Sequence, residues 1–289
     1  MDFKKGRVLR AAGGFYDVIT KSGVSHRCYL RGRYKGRARY IMAGDLVEFS
    51  AHDRDGCVIE KVLPRKNYFR RPLVANVSRM VMVLSSRRPS PDWNLLSRQL
   101  VAAESREIGS LICMNKVDLV DEKERQEIDR KLSLFPYEHI HTDALQKKGI
   151  ETLARYLKGN ISVFTGPSGV GKTSLINAVQ PGINLKTAEV SMKGLRGRHT
   201  TRHVEIFFLD DGSMVVDTPG FTKADLSVGA DKPMDSYFPE MEGYRERCQF
   251  RDCLHRDEPG CAVKAAVKDG AISELRYNHY LVFLKETDQ

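Results

Sequence analysis

The feature that most constrains this chain is a glycine-rich octapeptide with the pattern G-x-x-x-x-G-K-[ST]. Its residues are Gly166, Pro167, Ser168, Gly169, Val170, Gly171, Lys172 and Thr173. The apolar run 161–164 predicts a strand before it, and 174–179, starting at Ser174, predicts a helix after it. Glycines between a strand and a helix let backbone N–H groups turn onto a phosphate. We therefore expect a nucleotide site, with Lys172 on the terminal phosphates and Thr173 on Mg²⁺.

Composition predicts a soluble protein with a basic N-terminal part. The chain has 289 residues, of which 41% are hydrophobic and 29% charged, and it has neither a membrane-length apolar run nor a signal-peptide core. We expect a cytoplasmic monomer with no membrane partner. The formal net charge is +10, and residues 1–70 hold 16 Lys and Arg against 7 Asp and Glu. Such clustering is typical of proteins that bind nucleic acid or another anionic surface.

The first 69 residues predict a small barrel. Five short apolar or alternating runs, separated mostly by glycine-containing turns, occupy 8–9, 15–19, 28–30, 46–49 and 57–63. Short strands at this spacing are typical of a five-stranded barrel of the oligonucleotide-binding (OB) kind. We therefore predict an OB-like, RNA-binding domain over 1–69.

Within this domain, the stretch 31–40 alternates positive charges with small residues and tyrosines. The charged residues are Arg31, Arg33, Lys35, Arg37 and Arg39. Cations for phosphates and aromatic rings for stacking are what single-stranded RNA requires. The alternative is a solvated loop whose charges only maintain solubility.

Residues 70–228 predict a doubly wound α/β domain. The run 80–84 is continuously apolar, as in buried parallel strands, and is followed by a helical pattern over 93–108. A strand over 111–114 and a helix over 121–134 continue the alternation. Alternating strands and helices build an open parallel sheet covered on both faces.

A base-reading tetrapeptide, Asn115-Lys116-Val117-Asp118, follows the strand 111–114. Ligands of open parallel sheets bind at the carboxyl ends of the strands, where the phosphate loop also lies. The Asp118 carboxylate can accept two hydrogen bonds from guanine, whereas adenine would leave it unpaired. We therefore expect GTP rather than ATP. An ATP-dependent enzyme with the same phosphate loop is the alternative.

After the phosphate loop, 204–209 and 214–216 predict a β-hairpin that ends in Asp217-Thr218-Pro219-Gly220. We expect Asp217 to hold Mg²⁺ through water and the Gly220 N–H to contact the γ-phosphate. The preceding segment 193–203 is rich in glycine and arginine, and we expect Thr200 or Thr201 within it to ligate Mg²⁺ when a γ-phosphate is bound.

The last cluster, Cys248, Cys253, His255 and Cys261, predicts a structural zinc site. Three thiolates and an imidazole suit tetrahedral Zn²⁺ and leave no open position for catalysis. Free thiols are the alternative, because a reducing compartment disfavours disulfides. Helical patterns over 262–268 and 272–286 complete a small zinc-binding domain, 229–289, whose folding would depend on the metal.

These motifs together resemble a known family. The guanine-reading tetrapeptide precedes the phosphate loop, which precedes the threonine segment and Asp217-Thr218-Pro219-Gly220, so the usual motif order is circularly permuted. With the basic barrel in front and the cysteine cluster behind, the chain resembles the ribosome small subunit-dependent GTPase A family over essentially its whole length. The resemblance implies GTP hydrolysis stimulated by the small ribosomal subunit, contact with its rRNA, and a role late in its maturation.

The resemblance also bears on catalysis. Phe221 stands where many GTPases have a water-orienting glutamine, which implies slow intrinsic hydrolysis. His199 matches a family position suspected of supplying the missing polar group, and its alternatives are an exposed loop histidine or an RNA contact. Thr142-Asp143-Ala144 takes the place of the segment that contacts the guanine from its other side. A different class of protein, an RNA-binding module that uses GTP only as a regulatory ligand, is a further alternative.

Overall fold

The computed structural model describes residues 3–30, 41–52, 56–70, 72–182, 204–217 and 232–287. Within these ranges the side chains of His52, Glu205 and Asp217 are not described. The predicted RNA-contacting stretch 31–40 lies outside the described residues. So do His199, Thr200, Thr201, Gly220 and Phe221.

Five strands form a closed N-terminal barrel. They are β1 (Lys4–Ala12), β2 (Phe15–Thr20), β3 (Ser25–Leu30), β4 (Leu46–His52) and β5 (Gly56–Val62). The antiparallel neighbours are β1–β2, β2–β3, β1–β4 and β4–β5, and a parallel β3–β5 pairing closes the ring. Inward-facing residues such as Val8, Val18 and Phe49 fill the interior. The prediction of an OB-like barrel is confirmed.

The barrel is fixed to the next part of the chain at Gly44. Its φ of +93° suits glycine, and a Cβ there would clash with the carbonyl oxygen of Ala75. Beside this contact, the fully buried carboxylate of Asp45 accepts hydrogen bonds from Arg65 Nε at 2.6 Å and Nη2 at 2.7 Å. Because Ala75 belongs to the hairpin described next, the close approach sets the position of the barrel relative to it.

The second part of the chain is built on a mostly parallel sheet. Its strands are β8 (Arg79–Ser85), β9 (Gly109–Asn115), β10 (His139–Thr142), β11 (Ile161–Thr165), β12 (Glu205–Phe208) and β13 (Met214–Asp217), and a short hairpin, β6 (Tyr68–Arg70) and β7 (Leu73–Ala75), precedes it. The order is β10-β9-β8-β11-β13-β12, in which β12 is antiparallel. β12 also pairs with β1 at Arg10 and Glu205, so the ladder continues from this sheet into the barrel.

Among the described residues, four helices cover this sheet: α1 (Trp93–Glu104), α2 (Glu122–Leu132), α3 (Ile150–Leu157) and α4 (Lys172–Val179). Each begins where the sequence supplies a suitable start. Asp121, for example, accepts a hydrogen bond from the Glu124 N–H at 2.8 Å, while the Glu124 carboxylate accepts one from the Asp121 N–H at 3.1 Å, a capping box that sets the start of α2. Apolar side chains pack on both faces of the sheet, which confirms the α/β prediction.

The C-terminal unit is small and helical. It contains two 3-10 turns, Met234–Tyr237 and Pro239–Met241, and helices α5 (Glu242–Arg245), α6 (Ala262–Lys268) and α7 (Glu274–Thr287). Its apolar core includes Val101 from α1, so it packs against the second part of the chain rather than standing alone. Among the residues that the structure describes, no helix is both long and apolar enough to cross a membrane.

A buried arginine joins this unit to α1. The Arg276 side chain is fully buried, donates to Glu240 Oε1 at 2.6 Å, and donates to Ser97 Oγ on α1 at 2.9 Å. Ser97 Oγ also contacts His279 Nδ1 at 2.6 Å. Burying a guanidinium is unfavourable unless it is paired, and this one has both a carboxylate and a hydroxyl partner. The network therefore fixes α7 on α1 in one orientation.

Candidate functional site

The phosphate loop runs from the end of β11 into α4, and close contacts explain two of its glycines. Gly166 has a φ of +137°, and a Cβ there would clash with the carbonyl oxygen of Val83 on β8. Gly171 caps α4 at a φ of +98°, and a Cβ there would clash with Asn115 Nδ2. The loop thus lies too close to its neighbours for any side chain at these two positions.

Lys172, the first residue of α4, folds back over the loop. Its Nζ donates to the carbonyl oxygens of Gly166 at 2.7 Å and Pro167 at 2.8 Å. These contacts hold the ammonium group against the first half of the loop, at the N-terminus of α4. A helix N-terminus and a lysine ammonium together attract phosphate oxygens.

The tetrapeptide 115–118 is bonded directly to the phosphate loop. Asn115 Nδ2 donates to the Val170 carbonyl oxygen at 2.8 Å, and Lys116 Nζ donates to the Gly169 carbonyl oxygen at 2.6 Å. Lys116 adopts a left-handed backbone with a φ of +61°, and Ser86 Oγ donates to its carbonyl oxygen. The structure therefore brings the two motifs together at the carboxyl edge of the sheet. Val117 and Asp118 lie in the following 3-10 turn, with Asp118 exposed.

The segment 142–144 ends β10 next to this edge. Thr142 Oγ1 donates to Asn115 Oδ1 at 3.1 Å. The buried Asp143 carboxylate accepts hydrogen bonds from the N–H groups of Leu145 at 2.8 Å and Gln146 at 3.0 Å. Asp143 is therefore used to build its own turn. The predicted contact of this segment with the guanine stays a prediction, and it would fall to the backbone or to Ala144.

The hairpin of β12 and β13 ends at Asp217, the first residue of the predicted Asp217-Thr218-Pro219-Gly220 segment. β13 pairs with β11 in parallel, so Asp217 ends its strand beside the start of the phosphate loop. The Asp217 side chain lies outside the described residues. The roles of Asp217, Gly220, His199, Thr200 and Thr201 therefore stay predictions.

Sequence reasoning missed a buried glutamine that supports the loop. Gln99, on α1, is 2% exposed, and its Nε2 donates to the Thr165 hydroxyl at 2.8 Å. Thr165 immediately precedes Gly166. Gln99 stands between Leu96 and Leu100 on the apolar stripe of α1, and a polar residue on such a stripe is the signal that could have identified it. A small cleft beside it is lined by residues of α1, the end of β8, Pro167 and Val170.

The four predicted zinc ligands converge in the C-terminal unit. Their ligand atoms all lie within 4.8 Å of one another. His255 Nδ1 is 3.6 Å from Cys248 Sγ and 3.4 Å from Cys261 Sγ, and these two sulfurs are 3.9 Å apart. Ligands at about 2.3 Å (sulfur) and 2.1 Å (nitrogen) from a tetrahedral zinc lie about 3.5–3.8 Å apart. The cluster therefore fits zinc.

Outer contacts orient the histidine of this cluster. His255 Nε2 lies 3.4 Å from Asp235 Oδ2, which leaves Nδ1 for the metal. His255 has a left-handed backbone with a φ of +56°, and Tyr277 donates to its carbonyl oxygen at 2.6 Å. Tyr277 belongs to α7, so the ligand loop, which runs from Cys248 to Cys261, is held by the same helix that docks on α1.

Comparison with known proteins gives a consistent result. The RsgA N-terminal domain model matches residues 5–59, and the RsgA GTPase model matches residues 62–227. A protein of Moorella thermoacetica named small ribosomal subunit biogenesis GTPase RsgA is 45% identical over 98% of this chain and 97% of its own length. A protein of the same name from Caldanaerobacter subterraneus is 40% identical over 100% of this chain and 97% of its own.

Solved structures agree with these sequence relatives. The crystal structure of YjeQ from Thermotoga maritima matches with a TM-score of 0.85 at 36% identity, covering 99% of this chain and 98% of that one. YloQ, described as a circularly permuted GTPase, matches with a TM-score of 0.80 at 31% identity, covering 99% and 95%. This chain belongs to the RsgA GTPase family and is a GTP-hydrolysing enzyme with a circularly permuted motif order.

Proposed function

We propose that this GTPase acts late in the maturation of the small ribosomal subunit and that the subunit stimulates its GTP hydrolysis. The observation that carries the proposal is full-length similarity to proteins named small ribosomal subunit biogenesis GTPase. The excess of positive charge in residues 1–70 supports an rRNA contact through the barrel. We place the protein in the cytoplasm, where ribosomal subunits are assembled, and expect it to act as a monomer.

The geometry of the loop supports the nucleotide roles that we propose for its residues. The backbone N–H groups of 166–171 and the start of α4 would surround the phosphates, and Lys172 would exchange its carbonyl partners for phosphate oxygens. The Thr173 hydroxyl and, through water, Asp217 would hold Mg²⁺, whose positive charge would offset the negative charge of the phosphates. Thr173 and Ser174 lie in the first turn of α4, beside the loop.

We assign guanine recognition to Asp118, on the turn that follows Asn115 and Lys116. Because both of these residues are hydrogen-bonded to the phosphate loop, the distance between the base site and the phosphate site is fixed before nucleotide binds. Such preorganisation favours tight binding, since little conformational freedom is lost.

The Asp118→Asn variant tests this assignment. We expect its affinity for GDP and GTP to fall roughly a hundredfold, because an amide cannot accept both guanine hydrogen bonds and one is charge-assisted. Asp118 is exposed, so the fold should be unaffected. Titration with a fluorescent guanine nucleotide measures the loss, and Asp121→Asn, at the start of α2, is the neighbouring control. Unchanged guanine affinity in Asp118→Asn would place base recognition elsewhere.

Two connections would carry the nucleotide state to the surfaces that meet RNA. β12 follows the segment 193–203 in sequence and pairs with barrel strand β1 through Arg10 and Glu205. On the other side, Gln99 connects the base of the phosphate loop to α1, and α1 holds α7 through Ser97 and Arg276. We infer that GTP favours an arrangement in which the barrel and the C-terminal unit both grip RNA, and that GTP hydrolysis releases the RNA.

The steady-state GTPase rate, measured with and without purified small ribosomal subunits, tests the proposed function. We expect slow turnover alone and an increase of orders of magnitude with small subunits, with large subunits and ATP as controls. In the same experiment, sedimentation with small subunits should be tighter with a non-hydrolysable GTP analogue than with GDP. A rate that small subunits leave unchanged would contradict stimulation, and equal sedimentation in both nucleotide states would contradict the RNA-gripping mechanism.

A further inference from the structure

The pairing that closes the barrel places two cysteines side by side. β3 and β5 run parallel over three register pairs, Cys28 with Cys57, Tyr29 with Val58 and Leu30 with Ile59. Residues opposite each other on parallel neighbours point to the same face, and adjacent strands lie about 4.8 Å apart. That spacing is within the roughly 4.4–6.8 Å between Cα atoms that a disulfide requires.

The two thiols differ in access, and a histidine lies next to one of them. Cys28 is fully buried in the barrel core, whereas Cys57 is half-buried at its margin. His26, two residues before Cys28 on β3, points to the same face, and its Nδ1 lies 3.7 Å from Cys57 Sγ. The His26 ring is held against Phe49, with ring centroids 5.0 Å apart. Cys57 therefore has both a solvent path and an imidazole that can accept its proton.

The other cysteines have different surroundings. Three of them form the zinc cluster, where metal binding would engage their thiolates. Cys113 is buried on β9, where its sulfur lies 3.2 Å from the Thr142 hydroxyl. Because the Cys28–Cys57 pair lies outside the zinc cluster and has a half-exposed member, it can react independently of the metal.

We propose that Cys28 and Cys57 form an oxidisable dithiol site, which small-molecule disulfides such as oxidised glutathione convert to a disulfide across the β3–β5 closure. His26 takes the Cys57 proton, and the Cys57 thiolate attacks one glutathione sulfur, forming a mixed disulfide and releasing one glutathione thiolate, which is protonated. Cys28 then attacks Cys57 Sγ, its proton passes to the departing sulfur, and the second glutathione leaves as a thiol. Two protein thiols are oxidised and one glutathione disulfide is reduced to two thiols.

The order of the two attacks follows from burial. Desolvation by burial, and to a smaller extent the neighbouring Cys57, raises the pKa of Cys28 to about 12. The Cys28 thiol is therefore the slower, resolving group. The product would link residues 28 and 57 and thereby fix the pairing that completes the barrel. A cross-link of this kind stabilises the folded state by restricting the unfolded chain.

The test uses the zinc-loaded full-length protein, treated with oxidised glutathione, alkylated and digested with trypsin without reduction. We expect peptides 28–31 and 55–61 to appear joined by a disulfide, and the joined species to disappear after reduction. In Cys57→Ser, which changes only the half-buried member, the joined peptides should be lost completely. The melting temperature of the barrel should rise by several degrees on oxidation of the wild type and stay unchanged in Cys57→Ser.

Cys113 provides a reference within the same digest, because it should remain fully alkylated after denaturation. Zinc release, followed with a colorimetric chelator, reports any reaction at the metal cluster. Glutathione found on Cys57 with Cys28 still free would overturn the proposal, since the two sulfurs would then be unable to meet. Complete alkylation of both residues after oxidant treatment would overturn it as well.

Discussion

Removing zinc from the purified protein is expected to unfold the zinc-ligand loop and α6 of the C-terminal unit, while α7, the barrel and the nucleotide-binding part stay folded. Structural zinc supplies on the order of 10–16 kcal/mol to small metal-binding units, far more than a core of this size can replace. The ligand loop runs from Cys248 to Cys261, and Cys261 Sγ also accepts a hydrogen bond from the Lys264 N–H at the start of α6 at 3.4 Å. Losing the metal should therefore release both the loop and α6.

Circular dichroism and limited proteolysis measure this effect. After chelation we expect a loss of helical signal and new tryptic cleavage within 242–268, with the described strands and helices of the barrel and the second sheet still protected. Added Zn²⁺ should reverse both changes, whereas added Mg²⁺ should not. Cys261→Ser should behave like the chelated protein, and Cys57→Ser, outside the cluster, should behave like wild type under reducing conditions. A chelated protein with unchanged helicity and cleavage would refute a structural role for zinc.

Docking on α1 limits how far this unfolding would spread. Arg276 and His279 contact Ser97, and Arg98 on α1 forms an ion pair with Glu286 at 2.5 Å. These contacts belong to α7, which shares its apolar core with α1. Leaving a buried hydrogen-bonding group without its partner is unfavourable by roughly 1–3 kcal/mol, so the Ser97 contacts give α7 reason to remain attached when the ligand loop opens.

Local sequence patterns were sufficient to predict the main elements. The barrel strands coincide with alternating or apolar runs. The phosphate loop coincides with the glycine pattern, and a side chain at Gly166 or Gly171 would clash with Val83 or Asn115. Element ends were less accurate. The helix predicted over 93–108 ends at Glu104, and Glu107 has a left-handed φ of +56° that no helical pattern signals. The helix after the loop begins at Lys172, because Gly171 caps it, and not at Ser174.

Contacts between distant residues could not be predicted. The pairing of Arg10 with Glu205 joins the barrel to the second sheet, although the two residues are almost 200 positions apart in sequence. The hairpin β6–β7 lies in a stretch whose Pro64 and several charged residues predict irregular structure. Arg276 is a charged residue in a helix, and a charged side chain by itself predicts exposure. Its burial depends on Glu240 and Ser97, which the sequence places 36 and 179 residues away.

These contacts between distant residues also join the phosphate loop to the two terminal parts of the chain. Gln99 and Ser97 are two residues apart on α1, and one supports Thr165 beside the phosphate loop while the other holds Arg276. A change at the loop therefore has a short, packed route to the zinc unit. The barrel has its own route through β1 and β12. Both terminal parts of the chain are thus in packed contact with elements that border the phosphate loop.

Replacing Lys172 with alanine is expected to abolish GTP turnover, by about a thousandfold or more, and to leave the fold intact. Lys172 is the cation that the phosphate loop holds at the start of α4, and cations at the transferred phosphoryl group act mainly on the charge that develops in the transition state. Alanine is a good helix former, so α4 should keep its first residue. Single-turnover hydrolysis with small subunits present, followed by release of labelled phosphate, measures the loss.

Lys158→Ala, an exposed lysine that ends α3, is the matched control and should keep wild-type turnover. Sedimentation with small subunits separates catalysis from binding, and Lys172→Ala should still sediment, because the barrel and the zinc unit are unchanged. Turnover within a few-fold of wild type in Lys172→Ala would show that another group neutralises the γ-phosphate. Loss of both turnover and subunit binding would instead indicate that Lys172 supports the RNA-bound arrangement through the nucleotide, since binding would then require the occupied loop.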